Sequence, residues 1–136
     1  MANFGECEKT RSDSRIVLRE MRSVICFLNP SRKEIREVRI DGCVIRDGLR
    51  CDYLLIVDST EHYVELKGSD VDHAVKQIET TIRRISADAT RLAKHSYIVS
   101  SRCPALSPQI QVWKSRFKKE FNSSFQIKNR YMEQKL

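Results

Sequence analysis

The chain is poor in glycine, with only four among its 136 residues, at positions 5, 42, 48 and 68. Loops that bind nucleotide phosphates through their backbone need several closely spaced glycines. These four positions provide no such loop, so any chemistry driven by ATP would have to come from a partner protein.

Long apolar runs are also missing, since the longest are short segments such as VICFL and YLLIV. A membrane-spanning helix needs about 20 mostly apolar residues. The first fifteen residues contain no apolar signal core. We therefore expect a cytoplasmic protein that does not contact a membrane. With 40% hydrophobic and 32% charged residues, we expect a flexible N-terminal lead-in over residues 1–12 and a single folded domain over residues 13–136.

Cysteine and histidine give little support for a transition-metal site. The cysteines are odd in number and irregular in spacing, and none forms a CxxC pair; they are Cys7, Cys26, Cys43, Cys51 and Cys103. A zinc or disulfide framework is therefore not expected, and most of these side chains should be small apolar residues in a reducing compartment. The histidines, at positions 62, 73 and 95, show no metal-ligand spacing either.

The most informative segment is RCDYLLIVDSTEHYVELK, from Arg50 to Lys67. It has an aspartate at the head of an apolar run, then a turn, then a short strand pattern that carries Glu-x-Lys. Residues two apart in a strand point to the same face, so Glu65 and Lys67 share one face. If the two runs pair as a hairpin, Asp52 comes close to Glu65. Two carboxylates and an ammonium group on one patch favour a site for a hard divalent cation beside a phosphodiester.

The pattern on either side of this segment predicts a mixed α/β protein with the order αβββαβαβ. A first helix should run from a cap at Asp13 or Ser14 to Leu28, with an apolar stripe of Val17, Met21, Val24 and Leu28. Three strands should follow, at Val38–Val44 with Gly42 as a bulge, at CDYLLIV and at HYVELK.

A second helix should then begin after Ser69 or Asp70, because apolar residues recur at helical spacing from Val71 to Ile85. The remaining elements are a strand at HSYIVSS, a helix lined by Ile110, Trp113, Phe117 and Phe121, and a last strand with Phe125, Ile127 and Tyr131. Short turns favour antiparallel pairing of the first three strands, and the second helix favours a crossover. We expect a mixed sheet with helices on both faces.

Asp52, Glu65-Leu66-Lys67 and the helix pattern DVDHAVKQIETTIRRI together resemble the PD-(D/E)xK nuclease superfamily, which has the restriction-endonuclease-like fold. Cys51 stands where the family often has proline. The resemblance implies a Mg²⁺- or Mn²⁺-dependent nuclease that hydrolyses phosphodiester bonds, most readily in DNA. It also implies Asp52 and Glu65 as metal ligands, the backbone carbonyl of Leu66 as a third ligand, and Lys67 as the group that orients or helps deprotonate the attacking water.

Two further residues are candidates for the same site, and each has a plainer interpretation. Relatives often place an acidic residue on the first helix, which points to Glu20, but a solvated helix glutamate also explains it. Gln77 resembles a polar residue found in relatives on the second helix, and a surface glutamine explains it equally. An isolated Glu-x-Lys is most often a surface ion pair on an edge strand, so the pattern alone leaves that alternative open.

The net charge of +7 favours a polyanionic partner. Basic residues on the predicted helices provide candidate contacts to a nucleic-acid backbone, although a solvated helix face explains them as well; they are Lys76, Arg83, Arg84, Lys114, Lys118 and Lys119. A non-catalytic nucleic-acid-binding or assembly subunit with the same fold is the alternative function. Cutting both strands of a duplex usually needs two sites, so a homodimer or a partner subunit is expected.

Overall fold

The computed structural model describes residues 3–67, 69–102 and 108–136. A 3₁₀ turn at Gly5–Cys7 is followed by nine strands and two helices. In chain order they are β1 (Glu8–Arg11), β2 (Arg15–Glu20), β3 (Ser23–Leu28), β4 (Ile35–Arg39), β5 (Tyr53–Val57), β6 (Thr60–Lys67), α1 (Val71–Ile85), β7 (Lys94–Ser100), α2 (Pro108–Phe121), β8 (Ser123–Asn129) and β9 (Tyr131–Lys135). The protein is therefore of the mixed α/β class. Neither helix is long and apolar enough to cross a membrane within these described ranges.

Six strands form the main sheet, in the order β1-β4-β5-β6-β7-β8. The pairs from β1 to β6 are antiparallel, whereas β6, β7 and β8 run parallel to one another. Parallel neighbours need crossover connections, which α1 and α2 provide. The expected antiparallel run of three strands followed by a helical crossover is confirmed, and β4 to β8 have the predicted order βββαβαβ.

Both helices pack on the same face of the main sheet. Asp70 caps α1 by accepting a hydrogen bond from the His73 amide at 3.0 Å. The apolar stripe of α1 and the aromatic side chains of α2 share one buried cluster with the sheet, and this cluster includes Ala74, Val75, Ile78, Ile82, Trp113, Phe117 and Phe121. The expectation of helices on both faces is therefore wrong, although both helices lie where their periodicity predicted them.

A small sheet of β2, β3 and β9 covers the other face of the main sheet. Its inward side chains, among them Ile16, Ile25 and Phe27, pack against a second cluster that contains Leu55, Val64 and Tyr97. The predicted helix from Asp13 to Leu28 is wrong, because these residues form the β2–β3 hairpin. Their burial alternates along β2 instead of following helical spacing: Ile16 and Leu18 are buried and Val17 is 44% exposed.

The N-terminal segment also departs from expectation. Residues 8–11 of the predicted lead-in form β1 at the edge of the main sheet, where Glu8 pairs with Arg36 at 2.6 Å. A disulfide joins Cys7 to Cys43, so the expectation that no disulfide forms is wrong for these two residues. Cys26 and Cys51 are free and buried, as expected. Cys103 lies outside the described residues.

Two strand boundaries differ because the backbone turns earlier than the sequence indicated. β4 ends at Arg39, and Gly42 adopts a φ of +74° in the turn that follows rather than forming a bulge within a strand. Arg130 has a φ of +65°, which divides the predicted last strand into β8 and β9. These two strands belong to different sheets, so the order αβββαβαβ does not hold at either end of the chain.

Candidate active site

The β5–β6 hairpin brings Asp52 and Glu65 together. The Asp52 amide donates to the carbonyl of Val64 at 3.1 Å, and the Asp52 Oδ2 accepts from the amide of Leu66 at 2.8 Å. The regular pairing ends at Tyr53 and Val64, and these two bonds hold Asp52 against β6, where its side chain interacts with Glu65. The hairpin pairing predicted from the sequence therefore places the two residues, which we call the carboxylate pair, side by side.

The alternation of β6 directs Glu65 into the protein rather than into solvent. Tyr63, on the same face, belongs to the cluster under the helices, whereas Val64 and Leu66 belong to the cluster under the small sheet. Glu65 is only 2% exposed, and β6 lies between β5 and β7. An exposed ion pair on an edge strand is therefore excluded for Glu65. Lys67, half-buried at the end of β6, forms no salt bridge among the described residues.

Burial makes ionisation of the carboxylate pair unfavourable. Burial and, after it, the negative charge of Asp52 raise the pKa of Glu65 to about 9, although Lys67 acts in the opposite direction. Burial likewise raises the pKa of Asp52 to about 6, against the stabilising hydrogen bond from the Leu66 amide. A hydrogen bond from protonated Glu65 also favours the Asp52 carboxylate. Near neutral pH the pair therefore retains one proton, held mainly by Glu65.

Helix α1 fixes the chain immediately before Asp52. The Cys51 amide donates to the Thr81 hydroxyl at 2.8 Å, and the Gln77 amide nitrogen donates to the carbonyl of Arg50 at 2.9 Å. Gln77 is thus half-buried and fixes the backbone of the segment that leads into Asp52. It is not a freely solvated surface glutamine. Its side-chain oxygen and the Oε1 of Glu65 are both buried without a hydrogen-bond partner among the described residues.

Glu20 reaches the carboxylate pair from the small sheet instead of from a helix. It ends β2 opposite Ser23, whose hydroxyl donates to the carbonyl of Lys67 at 3.1 Å. The charge of Glu20 contributes to the raised pKa of Asp52. Glu20 and Lys67 line a groove of about 430 Å³ between the β2–β3 turn and the ends of β6 and β7. The structure thus brings Glu20 to the site although the predicted helix is wrong.

The basic residues predicted to contact a nucleic-acid backbone lie away from this groove. Arg83 pairs with Glu120 at 3.3 Å, and Arg84 donates to the carbonyl of Asp47 at 3.1 Å, both in the last turn of α1. Lys118 and Lys119 are in the last turn of α2, which ends beside the start of β7. Lys76 is exposed on α1, and Lys114 lines a separate groove with Lys128.

Three further arginines lie at the same end of the main sheet as the carboxylate pair. Arg22 is in the β2–β3 turn, Arg102 follows β7, and Arg130 lies between β8 and β9. Each of these arginines closely follows the end of a strand, which is a pattern that a sequence can indicate. The predicted helix placed Arg22 inside an element, and the predicted continuous strand did the same for Arg130, so neither was recognised as following a strand.

Among the described residues, no group of three or more histidine, cysteine, aspartate or glutamate side chains is arranged to hold a metal ion. The oxygen donors at the site are the carboxylate pair and the neighbouring backbone. In comparisons with known proteins, no family model, no curated protein and no solved structure matches the chain.

Proposed function

We propose that this protein is a metal-dependent nuclease that hydrolyses phosphodiester bonds, with DNA as the preferred substrate and Asp52, Glu65 and Lys67 as its catalytic residues. The observation that carries the proposal is the buried Glu65 carboxyl group beside Asp52, with one oxygen that has no hydrogen-bond partner in the part of the chain that the structure describes. Burying two carboxyl groups together is unfavourable unless a cation offsets their charge. The resemblance of the Asp52 to Lys67 segment to PD-(D/E)xK nucleases supports the same assignment.

The donor set fits Mg²⁺ or Mn²⁺. Both ions prefer oxygen ligands, and Mg²⁺ typically takes one or two carboxylates and keeps several waters. Asp52 and Glu65 would supply the carboxylates, and the carbonyl of Leu66 would supply the third protein oxygen. In an antiparallel ladder the N–H and C=O of one residue face the same neighbour. Because the Leu66 amide faces Asp52, its carbonyl is directed to the same side.

The protein groups around the pair have separate tasks. A divalent cation held by Asp52 and Glu65 would supply an activated water and would offset the charge on the phosphate. Lys67, close enough to lower the pKa of Glu65, orients the attacking water and stabilises the charge that develops on the phosphate. Glu65 must lose its proton to act as a ligand. Gln77 and Thr81 keep the Arg50–Cys51 segment in place so that Asp52 stays beside Glu65.

The proposal includes self-association or a partner subunit for duplex substrates. One chain presents one carboxylate pair, and hydrolysis of both strands needs a site for each. Light scattering that shows a strict monomer under conditions in which both strands are cut would contradict this part of the proposal.

The experiment is a cleavage assay of the purified protein on a panel of linear, branched, single-stranded and modified DNA and RNA substrates. We expect nicking or cutting with Mg²⁺ or Mn²⁺, loss of activity in EDTA, and loss in the Asp52→Ala and Lys67→Ala variants. Glu34→Gln, an exposed carboxylate outside the site, is the matched control and should keep full activity. Undiminished cleavage by either site variant would remove the mechanism. Salt-sensitive DNA binding that needs neither metal nor Glu65, with no cleavage, would indicate the non-catalytic subunit instead.

A further inference from the structure

The tip of the β2–β3 hairpin presents a large apolar side chain where the backbone favours a smaller residue. Glu20 pairs with Ser23, so Met21 and Arg22 form a two-residue turn. Met21 has a φ of +52° and is 94% exposed. Glycine or asparagine is the usual residue at such a position, and the left-handed conformation costs other residues about 1–2 kcal/mol. A strained and exposed methionine is better explained by binding than by folding.

The tip is held against the end of the main sheet. The Ser23 hydroxyl donates to the Lys67 carbonyl at 3.1 Å, and the Val24 amide donates to the Arg130 carbonyl at 2.9 Å. Met21 therefore projects from a fixed base beside the groove of about 430 Å³. This volume is within the range of about 300–1,000 Å³ that is typical of ligand pockets.

Three positively charged residues line this groove: Lys67, Arg22 and Arg102. A fourth, Arg130, is joined through its backbone carbonyl to Val24, the residue after Ser23 of the groove lining. Backbone hydrogen bonds fix the spacing of these residues: the Ser101 amide donates to the Lys67 carbonyl at 3.0 Å, and the Arg130 amide donates to the Ser100 carbonyl at 2.7 Å. Unlike Arg83 and Arg116 on the helices, which pair with glutamates, these four form no salt bridge among the described residues.

The chemistry of the groove matches one strand of a nucleic acid. The planar guanidinium group of arginine binds phosphate oxygens well. The three arginines lie on three different connections at the same end of the main sheet as the groove. Proteins that bend or open DNA insert apolar side chains, including methionine, between adjacent bases. Met21 also lines this groove. Glu20 and Lys67 line it as well, and their charges act on the pKa values of Asp52 and Glu65, so the groove adjoins the carboxylate pair.

We propose that the groove binds the backbone of one DNA strand through Arg22, Arg102 and Arg130, and that Met21 inserts between two adjacent bases next to the carboxylate pair. The choice of a DNA strand as the occupant rests on the proposed function. Insertion requires one base step to unstack, which is least costly at a mismatch, at a flexible pyrimidine–purine step or at a branch point. The protein therefore prefers DNA that contains such a step over fully paired, stiff duplex.

The test uses the full chain in EDTA, so binding and unstacking are measured without cleavage. The probe is a DNA duplex with 2-aminopurine beside a mismatch, titrated by fluorescence anisotropy and by emission intensity. We expect the parent protein to bind and to increase the emission of the unstacked base. Met21→Gly removes the side chain and relieves the backbone strain, so it should fold at least as stably. It should bind about tenfold more weakly, a loss of about 1.4 kcal/mol, because the apolar contact with the two bases is removed.

Matched variants separate the insertion of the Met21 side chain from the effect of the arginine charges. Met21→Leu should retain the unstacking signal. Arg22→Ala should weaken binding and reduce the slope of log affinity against log salt by about one. Arg91→Ala removes an exposed arginine outside the groove, so it should change neither the affinity nor the emission of the probe.

Unchanged affinity and unchanged emission with Met21→Gly would overturn the inference. Equal losses with Arg91→Ala and Arg22→Ala would also overturn it, because binding would then be nonspecific. Neither result depends on cleavage. An inactive protein that unstacks the probe would refute only the proposed function. An active nuclease that leaves the bases stacked would refute only the insertion of Met21.

Discussion

The amide of Leu66 donates a hydrogen bond of 2.8 Å to the Asp52 carboxylate. Leu66 lies between Glu65 and Lys67, so the same strand that carries two candidate catalytic side chains also orients the third. A register slip of one residue in β6 would break this bond and would turn Glu65 to the opposite face. The arrangement of the site therefore depends on the β5–β6 pairing.

The first prediction concerns pH. The pKa of Glu65 is raised from its ordinary value of 4.5 to about 9, so over this interval the folded state holds a proton that the unfolded chain has lost. Stability should therefore fall as pH rises from about 4.5 to about 9. Glu65→Gln removes this dependence and should be more stable than the parent by about 1–3 kcal/mol near the upper end of the range.

The measurement for this prediction is urea unfolding in EDTA at about pH 5 and about pH 8. Comparing the variant with the parent cancels the contribution of the other titrating groups, such as His62. A stability difference that is the same at both pH values would show that Glu65 ionises normally in the folded protein.

The second prediction is that Asp52→Asn loses activity while the fold remains intact or is slightly stabilised. Asparagine at position 52 still offers a side-chain oxygen to the Leu66 amide, and the change removes one negative charge beside Glu65 and Glu20. Such a conflict between stability and function is typical of catalytic sites. Melting curves in EDTA test it. A variant that melts well below the parent would identify Asp52 as a structural residue and remove the site assignment.

The third prediction concerns the disulfide. The bond between Cys7 and Cys43 closes a loop with a sequence separation of 36 residues. The chain-entropy account gives about 4 kcal/mol for such a loop, as an upper value. Reducing agent should therefore lower the urea midpoint of the parent protein. Cys43→Ser should already have the lower midpoint and should not respond to reductant, whereas Cys26→Ala should still respond. A parent protein whose midpoint is insensitive to complete reduction would contradict this.

The fourth prediction concerns Lys94, which is only 2% exposed at the start of β7. Its ammonium group donates to the carbonyls of Asp88, Leu92 and Phe121 at 2.7, 2.6 and 3.0 Å. Lys94→Met would leave three acceptors without this donor and should lower stability by about 2–4 kcal/mol. Lys33→Met, which removes only an exposed pair with Asp58 at 3.3 Å, should cost less than about 1 kcal/mol. Equal effects of the two changes in urea unfolding would contradict the assigned role.

The middle of the fold is predictable from sequence because its signals are local and unambiguous. Asp70 caps α1, and the apolar stripe that follows fits only a helix. Residues 15–28 are different, because their apolar positions fit both a helical stripe and an alternating strand. The choice depends on the partner surface: Ile16 and Phe27 pack against Leu55 and Val64 of the main sheet, which local spacing does not encode.

Other features depend on contacts between distant residues. Cys7 and Cys43 are paired by the position of β1 beside β4, and the sequence contains no spacing that indicates this. Arg130 adopts a positive φ without glycine, so nothing in the sequence marked the change of sheet. At the site, the predicted hairpin pairing placed Asp52 near Glu65. The extent of their burial and the approach of Glu20 followed only from the complete fold.

The most direct test of the central claim is the effect of Mg²⁺ on the melting temperature of the parent protein and of Asp52→Asn. A ligand that binds only the folded state stabilises it, so saturating Mg²⁺ should raise the parent's melting temperature by about 5 °C or more relative to EDTA. Because binding must displace the proton on Glu65, the shift should increase with pH. The variant should show no shift. An equal shift in both proteins, or none in the parent, would contradict the assignment of Asp52 and Glu65 as a metal site.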